Sequence, residues 1–317
     1  MKIINNTLDF QIPEESAVTL GKFDGIHKGH QKLIKKILEK KEQGLKSVVF
    51  TFGQMPGTIF LGNKGRTILT GKERQQHFSD MGVDYLIECP FVEQIIQMEP
   101  EKFIEEVLVK QLHAKYLAVG PDFQFGYQRK GDVNLLQKMA KTFGYQIEMF
   151  EKECLGEETI SSTTVRSLLK EGQMERVWLM LGYPYYVSGT VIHGHKIGRK
   201  LGIPTTNILP DDEKMLPPNG VYLTKTLFDG KEIFGITNIG VKPTISGQEA
   251  KGIETHLFDY EGDLYGQELI VEFYSYRRQE KKFESLDALQ VQLSEDLLWG
   301  RRMAETISNV KDKLRFG

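Results

Sequence analysis

Cysteine is scarce in this sequence: only Cys89 and Cys154 occur among its 317 residues. The two lie far apart and form neither a CxxC pair nor a Cys/His cluster with metal-ligand spacing. We therefore expect neither a disulfide framework nor a cysteine-based metal site, and we interpret both residues as reduced thiols.

Long apolar runs are also missing. None approaches the roughly 18 consecutive residues that a membrane helix needs. The N-terminal residues MKIINNTLDFQIPEES contain neither a continuous apolar segment nor a small-residue cleavage site. We therefore expect a cytoplasmic protein with no membrane partner.

Neither sign of charge is in excess, because 41 Lys and Arg residues stand against 43 Asp and Glu residues, a formal net charge of −2. Such a chain has no overall positive field with which to hold a long polyanion. We therefore do not expect nucleic acid as a partner, although a small anion in a local pocket stays open.

The composition that remains is that of an ordinary globular protein, 40% hydrophobic and 26% charged. These values argue against a disordered or collagen-like chain. At roughly 150 residues per domain, the length favours two domains, each able to bury its own core.

The first half alternates between two kinds of segment. Strand-like runs occupy residues 17–23, 47–52, 83–88, 116–119 and 145–150, and helical patterns occupy residues 31–43, 103–112 and 133–143. This alternation predicts βαβ crossovers and a mainly parallel sheet. Ligands bind such sheets beyond the carboxyl ends of the strands, which is where residues 21–30 and 120–126 fall.

The pattern changes after Gly182-Tyr183-Pro184. Short alternating segments joined by turn residues occupy 185–192, 220–228, 232–239, 253–260 and 268–276, and a helical stretch follows from about 285 to 313. The short segments are typical of an antiparallel barrel or sandwich. We predict a first domain over residues 1–184 and a second domain over residues 185–317.

Two histidines three residues apart stand at the end of the first of these strand-like runs, in GKFDGIHKGH (residues 21–30). Gly29 would let the backbone approach a phosphate, and the N-terminus of the following helix favours negative charge. His27 and His30 could donate to phosphoryl oxygens as charge builds in a transition state. Two surface histidines in a turn are the alternative interpretation of this pattern alone.

A cluster of hydroxyl side chains leads into a helical pattern, in ISSTTVR (residues 160–166). Such hydroxyls can cap a helix or donate to phosphate oxygens. Arg166, one turn into that helix, could reach the same anion as the two histidines.

A loop rich in glycine and cations follows the first strand of the second half, in HGHKIGRKLG (residues 193–202). Backbone N–H groups and positive charge in such a loop can wrap phosphates, although a flexible basic hairpin has the same composition. Directly after it, Pro204-Thr205-Thr206-Asn207 supplies hydroxyl and amide oxygens, which are hard ligands suited to Mg²⁺.

Together these motifs resemble a known family. HxGH followed about 130 residues later by SSTxxR is similar to the nucleotidyltransferase superfamily. The longer GKFDGIHKGH, with GPDFQFG (residues 120–126), resembles the adenylyltransferase domain of prokaryotic bifunctional riboflavin kinase/FAD synthetases. PTTN, NIGVKPT (residues 238–244) and ETHLFD (residues 254–259) resemble the kinase domain of the same family, in the same order.

The resemblance covers essentially the whole chain and implies both fold and activity. The implied fold is a Rossmann-like nucleotidyltransferase domain followed by a six-stranded riboflavin kinase β-barrel with C-terminal helices. The implied reactions are phosphorylation of riboflavin to FMN and adenylylation of FMN to FAD, both with ATP and Mg²⁺. Weak self-association stays open.

The resemblance also implies roles for individual residues of the first domain. His27 and His30 would stabilise the transferring α-phosphate of ATP. The other expected ATP and phosphate contacts are Gly21, Phe23, Asp24, Gly29, Ser162, Thr163 and Arg166, and the expected flavin contacts are Asp122 and Phe123.

In the second domain, the resemblance makes Glu254 the general base that takes the proton from the flavin 5′-hydroxyl. A carboxylate within hydrogen-bond reach of that hydroxyl is what attack on a γ-phosphate requires. Thr205 and Asn207 would bind Mg²⁺. The expected phosphate-loop residues are Gly194, Lys196, Gly198 and Gly202.

One segment departs from the family, which usually has Phe-x-Pro-His-Pro after the second strand. This chain reads Phe52-Gly53-Gln54-Met55-Pro56, without the first proline and with methionine in place of the histidine. Two alternatives to the bifunctional enzyme therefore stay open: a riboflavin kinase with an impaired adenylyltransferase domain, and a regulatory protein that binds flavin without turnover. Thr205, Asn207 and Glu254 favour an enzyme.

Overall fold

The structure, a computed structural model, describes residues 1–53, 65–193, 203–243 and 249–315. Its contacts divide the chain into two compact units, Met1–Thr164 and Val165–Gly317. The domain boundary that the sequence predicts, between residues 184 and 185, stays a prediction. None of the helices in the described ranges combines the length and hydropathy that a membrane crossing requires.

The first unit is built on a parallel sheet of six strands, as the alternating pattern predicts. The strands are β1 (Lys2–Asn5), β2 (Ser16–Leu20), β3 (Lys46–Phe52), β4 (Tyr85–Cys89), β5 (Ala114–Val119) and β6 (Gln146–Met149). Their order in the sheet is β1-β4-β3-β2-β5-β6. A separate two-stranded hairpin pairs β7 (Cys154–Leu155) with β8 (Glu158–Thr159).

Strand β2 marks the point where the strand order reverses, because β3 lies on one side of it and β5 on the other. Ligand sites in open α/β sheets lie at such a switch point, beyond the carboxyl ends of the strands. The loops after Leu20 and after Val119 leave the sheet at this place. All five residues of β2 are buried, so the first of these loops starts from a rigid element.

The helices of the first unit are α1 (Lys28–Glu39), α2 (Gly71–Asp80), α3 (Glu93–Ile96), α4 (Pro100–Lys102) and α5 (Val133–Phe143), with short 3-10 turns at Lys40–Gln43 and Tyr127–Arg129. Helices α1 and α5 follow predicted helical patterns, whereas α2, α3 and α4 were not predicted. The third predicted pattern forms Phe103–Gln111, which is a π-helix. Its wider hydrogen bonding is visible in the bond from the Leu112 backbone N–H to the Val107 carbonyl, five residues earlier.

The second unit contains a closed antiparallel barrel. Of the two folds that the sequence pattern allowed, a barrel or a sandwich, the structure therefore has the barrel. Its strands are β9 (Tyr185–Ile192), β10 (Thr206–Ile208), β11 (Gly220–Phe228), β12 (Lys231–Pro243), β13 (Glu249–Leu257) and β14 (Glu268–Arg278). They close in the order β10-β13-β12-β11-β14-β9. Inside the barrel the Thr237 hydroxyl shares hydrogen bonds with the hydroxyls of Thr224 and Thr255, at 2.7 and 2.8 Å.

Three further helices accompany the barrel strands in sequence: α6 (Ser162–Glu171), α7 (Met174–Leu181) and α8 (Leu286–Arg315). Helix α8 buries Ala304 against Ile236 and Phe258 of the barrel. It is also fixed by an ion pair, because Asp296 is fully buried and accepts charge-assisted hydrogen bonds from both Nε and Nη2 of Arg278 at the end of β14.

Two candidate active sites

The loop between β2 and α1 has an unusual backbone. Gly25 has a φ of +81°, and two residues with side chains, Phe23 and Ile26, also have positive φ, at +50° and +37°. Positive φ costs a side-chain-bearing residue about 1–3 kcal/mol, so the surroundings must hold this conformation. Phe23 and Ile26 are both fully buried.

His27, the last residue of this loop, and His30, in the first turn of α1, stack on each other. Their ring centroids are 3.7 Å apart with an interplanar angle of 20°. The Nδ1 atom of each ring is buried and has no hydrogen-bond partner in the described part of the chain. The two imidazoles, three residues apart in sequence, are therefore direct neighbours in the structure.

The stacked rings favour neutral imidazoles. Burial lowers the pKa of His27 to about 4. Burial and the neighbouring charge of His27 lower the pKa of His30 well below its usual value. A neutral ring with an unpartnered nitrogen can take up a proton when a phosphate arrives, because an adjacent anion raises the pKa of histidine, and the resulting N–H can donate to a phosphate oxygen.

Glycine at positions 21 and 29 keeps the loop close to its aromatic neighbours. A Cβ atom on Gly29 would lie 3.3 Å from Nδ1 of His27, and a Cβ atom on Gly21 would lie 3.3 Å from the Phe23 ring. The Phe23 ring in turn lies 5.1 Å from that of His30. A side chain at either glycine would press on the histidine pair or on the ring beside it.

Asp24 and Ser162 join the loop to the start of helix α6. The Asp24 carboxylate accepts a hydrogen bond from the Ile68 backbone N–H at 2.9 Å, and the Asp24 carbonyl accepts one from the Ser162 hydroxyl at 2.8 Å. Ser161 caps the helix, because its hydroxyl accepts from the Thr164 backbone N–H. Thr163 is exposed, and Arg166 follows Ser162 by one helical turn.

Asp122 and Phe123 follow the carboxyl end of β5, the neighbour of β2 in the sheet. Asp122 is exposed and forms an ion pair with Lys152. The Phe123 ring stacks on Phe125 with centroids 5.5 Å apart, and the Phe125 backbone bridges to Gly131. The structure thus places both predicted flavin contacts at the switch point, on a loop built around aromatic rings.

In the barrel, Glu254 occupies the middle of a row of polar residues. In the strand registers, Glu254 of β13 lies directly opposite Asn207 of β10 on one side and Asn238 of β12 on the other. Side chains directly opposite in antiparallel strands share a face of the sheet and lie about 5 Å apart at Cβ. The carboxylate and the predicted metal ligand Asn207 are therefore neighbours.

A cavity of about 420 Å³ lies at one end of this row, where Asn207 lines it; Glu254 and Asn238 are not among its lining residues. Its walls include Thr205, Thr206 and Asn207 on one side and the 260–265 loop, with Tyr260 and Tyr265, on the other. The His193 ring lies 3.9 Å from that of Tyr265. Hydroxyl and amide oxygens beside aromatic rings can hold a nucleotide, with phosphates at the oxygens and the base against the rings.

Several predicted residues lie outside the described ranges. These are the phosphate-loop residues Gly194, Lys196, Gly198 and Gly202 and the divergent residues Gln54, Met55 and Pro56. Gly53, the one residue of the divergent segment 53–56 that the structure describes, donates its backbone N–H to the Cys89 carbonyl.

Three polar residues at the two sites had no role assigned from the sequence. Asn238 opens the motif NIGVKPT, but its place beside Glu254 follows only from strand register. Arg74 and Glu88 form a buried ion pair, 2.6 Å long, and Arg74 approaches the Lys22 carbonyl in the loop between β2 and α1. The sequence did contain a signal for the helix that carries Arg74, because Thr70 and Glu73 form a capping box at its N-terminus.

The fold and the two sites define a two-domain, nucleotide-dependent transferase: a parallel-sheet domain of the nucleotidyltransferase type, then a six-stranded kinase-type barrel. The model of the FAD synthetase family matches residues 9–164, and the model of the riboflavin kinase family matches residues 181–304. Enzymes of these families use ATP and typically a divalent metal ion.

Full-length relatives agree with both matches. The chain is 37% identical over 306 residues to the bifunctional riboflavin kinase/FMN adenylyltransferase of Escherichia coli K12, covering 95% of this chain and 97% of that protein. It is 37% identical to the Haemophilus influenzae protein of the same name, covering 89% and 92%. The chain belongs to the family of bifunctional riboflavin kinase/FMN adenylyltransferases.

A solved structure extends the similarity in fold. A crystal structure described as a macrolide-efflux protein from Streptococcus pneumoniae matches with a TM-score of 0.83 and 30% sequence identity, over 93% of this chain and 96% of that one. The described activity is that of the pneumococcal protein. For this chain, the match indicates a shared fold along nearly the whole length.

Proposed function

We propose that this chain makes FAD from riboflavin in two ATP-dependent steps. The barrel phosphorylates riboflavin to FMN with release of ADP, and the parallel-sheet domain transfers AMP from ATP to FMN with release of pyrophosphate. The observation that carries the proposal is the presence on one chain of the stacked pair His27–His30 and of the row Asn207–Glu254–Asn238. We place the boundary between the two domains at residues 184 and 185.

For the kinase step, Glu254 acts as general base. Its carboxylate takes the proton of the riboflavin 5′-hydroxyl as that oxygen attacks the γ-phosphorus, the bond to the β-γ bridging oxygen breaks, and ADP leaves. The neighbouring amides of Asn207 and Asn238 are placed to orient the polar ends of the substrates. The cavity at one end of the row gives the nucleotide a place to enter.

The donor set of the barrel site fits Mg²⁺. Thr205 and Asn207 offer neutral oxygens, and the described residues contain no cluster of three His, Cys, Asp or Glu side chains that would hold a metal by itself. This composition suits a hard cation whose remaining ligands are phosphate oxygens and water. When bound, Mg²⁺ would neutralise charge on the transferring phosphate.

For the adenylyl step, the histidine pair supplies the electrostatic stabilisation. The FMN phosphate oxygen attacks the α-phosphorus of ATP, and pyrophosphate leaves. His27 and His30 donate hydrogen bonds to the α-phosphate oxygens as negative charge grows there. Ser162, Thr163 and Arg166 at the start of α6 hold the triphosphate, and Asp122 and Phe123 receive the flavin nucleotide.

Chromatography of the flavins tests the proposal. Wild-type protein incubated with riboflavin, ATP and MgCl₂ is expected to form FMN first and then FAD. Product that stops at FMN would favour the alternative of a kinase with an impaired first domain. Bound but unconverted riboflavin would favour the regulatory protein.

A further inference from the structure

The backbone that leads to the histidine pair is contacted by side chains of helix α2 and strand β3. The Lys22 carbonyl, one residue before the positive-φ residue Phe23, is approached at 3.5 Å by Nη1 of Arg74 and by the hydroxyl of Thr51. The Phe23 ring packs edge-on against Phe78 of the same helix, with centroids 5.7 Å apart. Helix α2 therefore contacts both the carbonyl and the ring that enclose the strained peptide.

Arg74 is held in place by a buried carboxylate. Its Nη2 donates to Oε1 of Glu88 at 2.6 Å, and the other Glu88 oxygen accepts from Gln75 at 2.7 Å. The Arg74 and Glu88 side chains are 6% and 7% exposed. Glu88 lies in strand β4, so the sheet fixes the carboxylate, the carboxylate fixes the guanidinium, and the guanidinium faces the loop.

Stability alone does not account for this pair. A buried ion pair gains little over apolar residues of similar volume, because both charges lose their hydration. Nε of Arg74 is moreover buried with no hydrogen-bond partner in the described ranges, which adds a cost. What the pair supplies that apolar residues cannot is a donor at a fixed position under the Lys22 carbonyl.

We propose that Arg74, held by Glu88, is a positioning residue for adenylyl transfer. It fixes the Lys22 carbonyl and thereby the positive-φ backbone that sets the stacked geometry of His27 and His30. This proposal rests on the adenylyl transfer proposed above.

The test replaces the pair by apolar residues of similar volume. Arg74→Met/Glu88→Leu is expected to fold, because no buried charge is left unpaired. We expect its kcat for FAD formation from FMN to fall about 10²-fold, the typical effect of a misplaced catalytic group. The KM for ATP is expected to change less than threefold. Arg74→Lys, which keeps the charge but loses the planar fork, is expected to lose about tenfold.

Controls and a second readout make the outcome decisive. Lys41→Met breaks an exposed ion pair with Asp84, at the other end of β4, and is expected to leave both activities unchanged. Riboflavin phosphorylation serves as the internal control in every variant.

The second readout is the ring NMR resonances of His27 and His30, assigned with single His→Asn variants. We expect these resonances to move in the double variant. A folded double variant with wild-type kcat, or with both resonances unchanged, would overturn the positioning role. A wild-type protein that makes no FAD would instead overturn the proposed function, and the resonances would still decide the positioning role.

Discussion

The neutral histidine pair makes the first unit sensitive to acid, and the size of the effect follows from the pKa of His27. A free histidine has a pKa near 6.5, and burial lowers that of His27 to about 4. Between these two pH values the unfolded chain binds a proton that the folded chain does not, so stability falls as pH falls. The difference of about 2.5 units corresponds to about 3 kcal/mol at pH 4.

His27→Asn removes this loss of stability at low pH. It also removes part of the lowering of the His30 pKa, because the charge of His27 contributes to that lowering. When the pH is lowered from 6.5 to 4, we expect the free energy of unfolding to fall in both proteins. The fall in the variant is expected to be smaller than that in wild type, by up to about 3 kcal/mol. Contributions of the carboxylates are common to both proteins and cancel in the comparison.

Urea unfolding followed by two signals isolates the first unit. Both tryptophans, Trp178 and Trp299, pack against the core cluster of the barrel, so a transition seen by circular dichroism but not by tryptophan fluorescence reports the first unit. His113→Asn is the matched control, because asparagine tolerates the φ of +46° at that position. Parallel pH profiles for wild type and His27→Asn would refute the account of the stacked pair.

Three other predictions follow from the two sites and the barrel. Glu254→Gln is expected to abolish FMN formation but to preserve FAD formation from supplied FMN, since an amide cannot accept the proton; kinase turnover within about threefold of wild type would contradict the role of Glu254. His30→Ala is expected to lower FAD synthesis about 10²–10³-fold and to spare the kinase; equal loss of both activities with an intact circular dichroism spectrum would contradict two separate sites. Thr237→Val is expected to destabilise the barrel by about 1–3 kcal/mol in urea unfolding, because two buried hydroxyls lose a shared partner; an unchanged unfolding midpoint would show that the hydroxyl chain contributes nothing.

The elements with strong periodicity could be predicted from the sequence. Leu33, Ile34 and Ile37 mark one face of α1 and are all buried. The strands Tyr185–Ile192 and Gly220–Phe228 have the predicted bounds. In α1 and in Tyr185–Ile192 an apolar period of 3.6 or 2 was sufficient, because burial of one face decides the structure. In Gly220–Phe228 every residue except Leu227 is buried, so the flanking turn residues gave the signal.

Elements without such a signal were missed. Helix α2 is polar along most of its length, so its apolar pattern is weak. The segment Phe103–Gln111 was expected as an ordinary amphipathic helix, but it is a π-helix. The apolar positions 103, 104, 107 and 108 fit either helix type, and only the backbone hydrogen bonds distinguish them.

The candidate sites show the same division. His27, Gly29, His30 and Glu254 stand in short motifs, so their chemistry was readable from local sequence. Asn238 is brought beside Glu254 only by the register of β12 and β13. Contacts that depend on how separate elements pair are not encoded in any local pattern.

The central claim is that one chain carries both activities despite the divergent segment at residues 53–56. The most direct measurement is chromatography of the products after incubation of the purified protein with FMN, ATP and MgCl₂, in air and after reduction with dithionite. Because His27, His30 and Arg166 are all present, and electrostatic stabilisation of the phosphate dominates this chemistry, we expect FAD to form in at least one of the two conditions. No FAD in either condition, from protein that still converts riboflavin to FMN, would contradict the claim and leave a riboflavin kinase.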